Sequence, residues 1–282
     1  MHNIVLAIVI CGISIAFAIG PFLWPKSEEE QKLEEFHTST PIDLVDPEMA
    51  PPEIKPLVMQ GFNILRECKK NLPEYAKDGV NCTNCHFAAG NTLGGTNNGI
   101  SLVGATKHYP FKPPGEDGLI TIEDRINGCF LKSMNGKALP AKSQEMRAIV
   151  AYLTWISSPV KNIPITWRGL PPLYSNHTPN RQKGAQLFAA HCAECHGKNG
   201  EGQERSEALS YPTLWGPHSF NAPDGMNKFP TLTSFIYFNM PYKDPFLTLD
   251  EALDIAAFLV SEPKPYLPSG QQDRGKHDNQ DR

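Results

Sequence analysis

Two short motifs in this chain have the spacing cysteine, two residues, cysteine, histidine. Their six residues are Cys82, Cys85, His86, Cys192, Cys195 and His196. This spacing lets both thiols of a motif form thioethers with haem vinyl groups, while the histidine becomes the proximal iron ligand. Zinc sites and redox dithiols also use paired cysteines, but here each pair carries its own adjacent histidine. The motifs therefore predict two covalently bound c-type haems.

An internal repeat surrounds the two motifs. A helical stretch with a glycine and an apolar residue on one face precedes each motif, and an amphipathic stretch centred on an aromatic residue follows it. The repeated residues are Gly61, Leu65 and Tyr152 in the first half and Gly184, Phe188 and Phe258 in the second. A glycine on the first helix would let the last helix cross closely over it. The pattern resembles the class I cytochrome c fold and predicts a mainly α, loop-rich protein with two such domains in tandem.

The second half carries a methionine at a position suited to the sixth ligand of its iron. Met240 lies in the segment FNMPYKDP, and class I cytochromes place their sulfur ligand in such a Met-Pro pair before the last helix. A thioether raises the potential of a haem, which suits the site where electrons leave the protein. Met226 and His218 are the other candidates in this half. We expect Met240 to bind the second iron.

Two sulfur atoms in the first half compete for the corresponding position. Cys129 follows the first motif's histidine by 43 residues, close to the 44 residues between His196 and Met240. Met134 precedes the aromatic residue of its last helix by 18 residues, as Met240 does in the second half. Spacing alone therefore leaves a thiolate and a thioether both open.

The stretch EDRINGCFLKSMNGKALP, residues 123–140, resembles a motif of the dihaem thiosulfate dehydrogenase family. The order of the surrounding segments is similar too, and the resemblance covers roughly residues 55–262. It implies that Cys129 binds the first iron opposite the histidine and that Met240 binds the second. It also implies an anion pocket containing Arg125 and Ser133, and oxidation of thiosulfate to tetrathionate or the reverse reaction.

A thiolate at the first iron would supply useful chemistry. It lowers the potential of that haem, and it is a nucleophile toward a sulfur substrate. Thiosulfate is a dianion, so its pocket needs cations. Arg125 lies one helical turn before Cys129, and Lys132 and Lys137 follow. The alternative is that Arg125 pairs with a neighbouring carboxylate on a helix surface, and that Ser133 is an ordinary helix residue.

The segment between Tyr109 and Ile122 departs from the family pattern. A further arginine is expected there, but the sequence reads YPFKPPGEDGLITI. Lys112 could substitute, although a lysine lacks the bidentate fork of arginine. Glu116 and Asp117 would oppose an anion. This departure weakens the expectation of thiosulfate as substrate more than the expected architecture.

The N-terminus carries 21 uncharged residues at positions 4–24. About 20 apolar residues suffice to cross the hydrocarbon core of a membrane. A cleaved secretory signal is the alternative, because Ala16-Phe17-Ala18 has the small-x-small pattern of a cleavage site. We expect an uncleaved anchor in the inner membrane and a periplasmic, or otherwise extracytoplasmic, body.

Five segments follow from these patterns. They are an anchor or signal at 1–25, an acidic and proline-rich spacer at 26–52, cytochrome c domains at 53–165 and 166–262, and a flexible polar tail at 263–282. The formal charge of −4 excludes a generally basic, nucleic-acid-binding surface. The 26 prolines favour short helices joined by ordered loops over a long helical bundle. Cys68 is expected to be a buried core thiol.

Two functions from different classes fit these residues. The first is an oxidoreductase that converts thiosulfate to tetrathionate and passes electrons through the second haem to a small soluble cytochrome. The second is a membrane-tethered dihaem cytochrome that only relays electrons. The relay needs no anion pocket, and its first haem would be ligated by histidine and Met134.

Overall fold

The computed structural model describes residues 42–76, 80–115, 118–160, 170–171, 173–206, 209–222 and 225–265. The predicted anchor, most of the spacer, the predicted domain boundary at 165 and most of the tail lie outside these ranges. Within them, no helix is long and apolar enough to cross a membrane.

The described chain is mainly helical, as predicted. Its helices are α1 (Lys55–Arg66), α2 (Cys68–Asn71), α3 (Ile122–Gly128), α4 (Gln144–Ile156), α5 (Arg181–His191), α6 (Ala193–His196), α7 (Phe229–Asn239) and α8 (Leu249–Ser261). A π-helical turn, Cys129–Ser133, continues α3. Short 3-10 turns lie at Pro47–Met49, Cys82–Asn84, Phe87–Gly90, Ala105–Lys107 and Gly225–Asn227. Strands β1 (Gln203–Ser206) and β2 (Leu209–Tyr211) form a small antiparallel pair.

Polar caps fix where several of these helices begin. The hydroxyl of Thr121 accepts from the backbone N of Asp124 at 3.2 Å, and the Asp124 carboxylate accepts from the backbone N of Thr121 at 2.9 Å. This capping box starts α3, the helix that leads into Cys129. Thr248 and Glu251 form the same box at the start of α8.

The two glycines of the repeat lie where helices cross. A Cβ on Gly61 of α1 would collide with the carbonyl of Ala148 and come within 2.7 Å of the Tyr152 Cβ on α4. On Gly184 of α5, a Cβ would collide with the carbonyl of Asp254 on α8. The predicted close crossing is confirmed in both halves, because only a glycine leaves room for the opposing backbone.

Each helix crossing is enclosed in its own hydrophobic core. The first core joins α1 and α4 with Phe130, Met134 and Leu139 from the segment after α3. The second joins α5, α7 and α8 around Phe188 and Ile255. Since every core has one motif at its edge, the repeat in the sequence corresponds to a repeat in the packing.

A buried carboxylate fastens the segment before α5 to the last helix. Asp254 is fully buried and accepts hydrogen bonds from His177 Nε2 at 2.6 Å and from the backbone N of Asn180 at 2.7 Å. Lys183 Nζ lies 3.3 Å from its second oxygen. Burial raises the pKa of Asp254, but these donors outweigh it and hold the pKa below its usual value. Asp254 is therefore a paired carboxylate within the second domain.

The first described residues pack on the first domain, and the last described residues pack on the second. In the predicted spacer, the carbonyl of Asp46 accepts from Trp155 Nε1 at 3.0 Å, and Ala50 is buried in the first core. In the predicted tail, the carbonyl of Pro263 accepts from the backbone N of Gly216 at 2.8 Å. Residues 42–50 and 263–265 are thus held by hydrogen bonds and apolar contacts that local composition does not reveal.

Replacing Gly184 by alanine should destabilise the second domain. The added methyl group would force α5 and α8 apart, and such overpacking costs about 1–3 kcal/mol, more than the helix propensity that alanine gains. The expected result is a lower melting temperature by circular dichroism. Gly128→Ala is the matched control, because its Cβ would meet only a side-chain atom of Arg125 at 3.8 Å. Equal melting temperatures for the two variants would contradict the close crossing.

Candidate haem sites and the Cys129 centre

Both Cys-x-x-Cys-His motifs form a single helical turn. The backbone N of His86 donates to the carbonyl of Cys82 at 2.8 Å, and the backbone N of His196 donates to the carbonyl of Cys192 at 2.9 Å. Positions i and i+3 of a helical turn lie on the same side. The fold therefore presents both thiols of a motif together, as two thioether bonds to one haem require.

The two motif histidines are oriented in the same way. Nδ1 of His86 lies 2.8 Å from the carbonyl oxygen of Ile100, and Nδ1 of His196 lies 3.0 Å from that of Pro212. A carbonyl oxygen only accepts, so Nδ1 carries the proton and Nε2 keeps its lone pair for a metal. Burial lowers the pKa of His86 to about 4 and lowers the pKa of His196. Both imidazoles are thus neutral at pH 7, the form that binds iron.

A cavity of about 410 Å³ reaches from the second motif to the edge of the first. This volume lies within the range of roughly 300–1,000 Å³ that is usual for small-molecule and cofactor sites. Cys192, Cys195, His196 and Met240 line it, together with Cys85 of the first motif. Its remaining walls are mainly apolar. The residues present therefore fit a haem held by the second motif.

Met240, the expected sulfur ligand, lies in the cavity wall at the end of α7. It is the residue immediately after α7, and its backbone N donates to the carbonyl of Ile236 at 2.9 Å. Met226 lines the same cavity, whereas His218 is exposed and lies outside its walls. Of the three candidate ligands, the two methionines line the cavity and His218 does not.

Cys129 and Arg125 are in direct contact. Nη1 of Arg125 donates to Sγ of Cys129 at 2.9 Å, as their spacing of one helical turn allows. The carboxylate of Asp124 is instead engaged in the cap with Thr121. A cysteine beside a cation has the surroundings typical of a reactive sulfur, and the same guanidinium can hold an anion next to it.

The same thiol lies in the electrostatic surroundings of the first motif. A hydrogen bond with Cys68 raises the pKa of Cys82, and burial and the charges of Cys68 and Cys129 raise it further. The positive charge of Arg125 contributes to the lowered pKa of His86. Cys129 and Arg125 thus lie near the first pair of attachment groups. The neutral imidazole of His86 and a sulfur in its surroundings are groups that can ligate a haem iron.

Other sulfur atoms of the first domain have different surroundings. Met134 is 3% exposed and belongs to the hydrophobic core. Cys68 is fully buried, so the prediction of a core thiol is confirmed. Its contact with Cys82 was not predictable, because the two residues are 14 positions apart and share no helix.

The cavity also contains polar groups that an anion could use. Ser133, at the end of the π-helical turn, lines it, and so does Arg66 from the last turn of α1. The sequence gives no sign that Arg66 reaches a site, because a basic residue in a last helical turn commonly complements the helix dipole. Lys112 is exposed, and Glu116 and Asp117 lie outside the described residues.

Comparisons with known proteins assign each half to a family. The family described as SoxA/TsdA, cytochrome c domain, matches residues 73–161. The family described as Cytochrome c matches residues 181–262. Each match includes one motif and the helix that follows it. The tandem cytochrome c architecture predicted from the repeat is confirmed.

Similar proteins cover most of the chain. A thiosulfate dehydrogenase of Allochromatium vinosum is 33% identical over 219 residues, which are 76% of this chain and 81% of the relative. One of Thiomonas intermedia is 34% identical over 90% of this chain and 80% of the relative. The solved thiosulfate dehydrogenase (TsdBA) of Marichromatium purpuratum matches with a TM-score of 0.72 and 27% identity, over 81% of this chain and half of that longer protein. With two cytochrome c domains and these relatives, the chain belongs to the thiosulfate dehydrogenase family of c-type cytochrome oxidoreductases.

Proposed function

We propose that this protein oxidises thiosulfate to tetrathionate at Cys129 and delivers the electrons to a small soluble cytochrome. The observation that carries the proposal is the 2.9 Å hydrogen bond from Arg125 to the Cys129 sulfur, beside the first haem motif. A thiol that only filled the core would not be paired with a cation. The relatives named thiosulfate dehydrogenases support the substrate.

Two covalent haems follow from the two motifs. We propose that His86 and Cys129 would hold the iron of the first, and His196 and Met240 that of the second. When bound, the haems supply one-electron acceptors. A thiolate ligand lowers a haem potential and a thioether raises it, so electrons would pass downhill from the first haem to the second.

The reaction balances with Cys129 as the reactive group. In the first step the Cys129 thiolate and the outer sulfur of one thiosulfate form an S–S bond, and two electrons are released, which the bound haems would accept. The product is a cysteine S-thiosulfonate. In the second step another thiosulfate attacks the outer sulfur of that S–S bond, which breaks. Tetrathionate forms and Cys129 returns as a thiolate, so the reverse sequence is also chemically allowed.

Arg125 and Ser133 would bind the substrate in this scheme. The guanidinium of Arg125 can offer charge-assisted hydrogen bonds to the sulfonate oxygens while it stabilises the thiolate. The hydroxyl of Ser133 can donate one more. The contact of Arg125 with Cys129 supports the first role, and the position of Ser133 in the same π-helical turn as Cys129 supports the second.

The predicted domain limits and cell location belong to the same proposal. The family matches at 73–161 and 181–262 fall inside the predicted domains at 53–165 and 166–262. The apolar segment at 4–24 supports export to the periplasm and an anchor in the inner membrane. The acceptor would then be a periplasmic cytochrome that reaches the second haem.

Replacing Cys129 by glycine should abolish thiosulfate-dependent reduction of an acceptor, because glycine supplies neither the ligand nor the nucleophile. Both haems should stay attached, and a pyridine haemochrome assay should give about two per chain, one for each motif. Cys68→Ala is the matched control: it removes another thiol of the same domain and should keep the activity. The relay function is favoured instead if the wild type is inactive and its first haem shows histidine–methionine spectra.

Replacing Arg125 by alanine should lower kcat/KM for thiosulfate by about 10- to 150-fold, the equivalent of roughly 1.5–3 kcal/mol for a hydrogen bond to a charged group. Arg125→Lys should recover part of the loss, because it restores the charge but not the fork. Lys142→Ala, which removes an exposed cation beyond this segment, should have little effect. Steady-state kinetics with all three variants measures this, and a wild-type rate for Arg125→Ala would remove it from the pocket.

Replacing Met240 by alanine should abolish the far-red charge-transfer band of a sulfur–iron bond while the haem stays attached. Electron delivery to an external acceptor should also slow, because loss of the thioether lowers the potential of the second haem. Met226→Ala, from the same cavity wall, is the control and should keep the band. The opposite pattern would make Met226 the ligand.

A further inference from the structure

A four-residue segment of the first domain, residues 97–100, contacts both the first Cys-x-x-Cys-His motif and the segment around Met240. At its end, the carbonyl of Ile100 accepts from Nδ1 of His86 at 2.8 Å. The backbone N of Ile100 donates to the carbonyl of Cys85 at 2.9 Å. This end of the segment therefore sets the orientation of the first proximal imidazole.

The other end of the segment is bonded to the second domain around Met240. The backbone N of Asn97 donates to the carbonyl of Phe238 at 2.6 Å, and its side-chain oxygen accepts from the backbone N of Lys243 at 3.0 Å. The backbone N of Gly99 donates to Oδ1 of Asn239 at 2.8 Å. Two of these bonds lie before Met240 in the sequence and one lies after it. Met240 is thus bracketed by hydrogen bonds to the first domain.

Burial and close packing restrict movement where Gly99 meets Asn239. Asn239 is fully buried, and its Nδ2 has no hydrogen-bond partner within the described residues, so the bond to Gly99 is the one made by its side chain there. Gly99 has φ +65°, and a Cβ would lie 2.8 Å from both the carbonyl of Cys85 and the ring of Phe87. The segment is therefore pressed against the backbone of the first motif and has little freedom to shift.

Aromatic rings reinforce the same contact. Phe87, the residue after His86, packs edge-to-face on Tyr242 with ring centroids 5.0 Å apart. It also packs on Phe235 of α7 at 6.0 Å. The residues on both sides of Met240 are thus in contact with the residue that follows the first proximal histidine.

We infer that the first domain positions the axial ligand of the second haem through residues 97–99, with Asn97 and Asn239 as positioning residues for Met240. The inference rests on the proposed function only in taking Met240 as the ligand. Without these hydrogen bonds the first domain would hold the Met240 segment through the ring contacts of Phe87 alone, and the sulfur would leave the iron more readily.

A second contact between the domains supplies the matched control. Oδ1 of Asn135 accepts from Nδ2 of Asn221 at 2.8 Å, and the backbone N of Asn221 donates to the carbonyl of Lys132 at 2.9 Å. Asn135 has φ +48° and Asn97 has φ +60°, so both are left-handed asparagines that join the domains. Glycine adopts this backbone without strain. Asn97→Gly and Asn135→Gly therefore each remove one side chain at little backbone cost.

The experiment titrates the ferric, haem-loaded full chain with imidazole and follows the far-red methionine–iron band. Imidazole competes with Met240, so a looser methionine is displaced at a lower concentration. Asn97→Gly should lower the midpoint by about 3- to 5-fold, as loss of one hydrogen bond at a partly exposed site allows. Asn239→Leu should lower it by about 10-fold or more, because it leaves the buried Gly99 N–H unpaired.

Two further variants separate positioning from general loosening. Asn97→Asp keeps the acceptor oxygen for Lys243 and should titrate like the wild type. Asn135→Gly loosens the other contact and should leave the midpoint unchanged. If the Asn239→Leu protein does not accumulate with two haems, the comparison of Asn97→Gly with Asn97→Asp is sufficient for the test.

Three results would overturn the inference: equal midpoints in the wild type and Asn97→Gly, an equal fall in Asn135→Gly, or a wild type without the far-red band. Thiosulfate activity is measured separately. An active enzyme with unchanged midpoints would overturn only the positioning by the first domain. An inactive enzyme whose midpoints shift as expected would overturn only the proposed thiosulfate oxidation.

Discussion

In both domains a hydrogen bond fixes the imidazole of the Cys-x-x-Cys-His motif. Nδ1 of His86 is held by the carbonyl of Ile100, and Nδ1 of His196 by the carbonyl of Pro212. Burial keeps both rings neutral, and the bond determines which nitrogen carries the proton. The rest of each domain serves this requirement, because the helical turn, the loop that supplies the carbonyl and the crossed helices must all keep their places for Nε2 to face a metal.

The two domains share this proximal arrangement but differ in the group that follows. In the second, Met240 ends a buried helix and lines an apolar cavity. In the first, Cys129 lies in a π-helical turn with a guanidinium on its sulfur. A thioether in an apolar wall suits electron transfer, whereas a thiolate beside a cation suits reaction with an anion. The same fold can thus place an electron exit and a reactive centre in one chain.

Local chemistry accounts for what could be predicted from the sequence. The spacing of the cysteines and histidines is itself the requirement for haem attachment, so the motifs determined the cofactor class. Gly61 and Gly184 predicted the helix crossings, because only a residue without a side chain permits backbone contact there. Arg125 and Cys129, four residues apart on a helix, were predictable neighbours for the same reason of local geometry. For the first iron, however, spacing left Cys129 and Met134 open.

Tertiary structure alone decided the contacts between distant segments. The bond from Gly99 to Asn239 joins residues 140 positions apart, and no periodicity predicts it. Cys68, the first residue of α2, meets Cys82, and Arg66 of α1 reaches the cavity, only because these helices pack beside the first motif. The sequence by itself determined which chemical groups each domain carries, since those depend on spacing within one turn or one helix. The contact of residues 97–99 with the Met240 segment depends on how the two domains pack. That packing is determined by many contacts across the domain interface, which local spacing in the sequence does not specify.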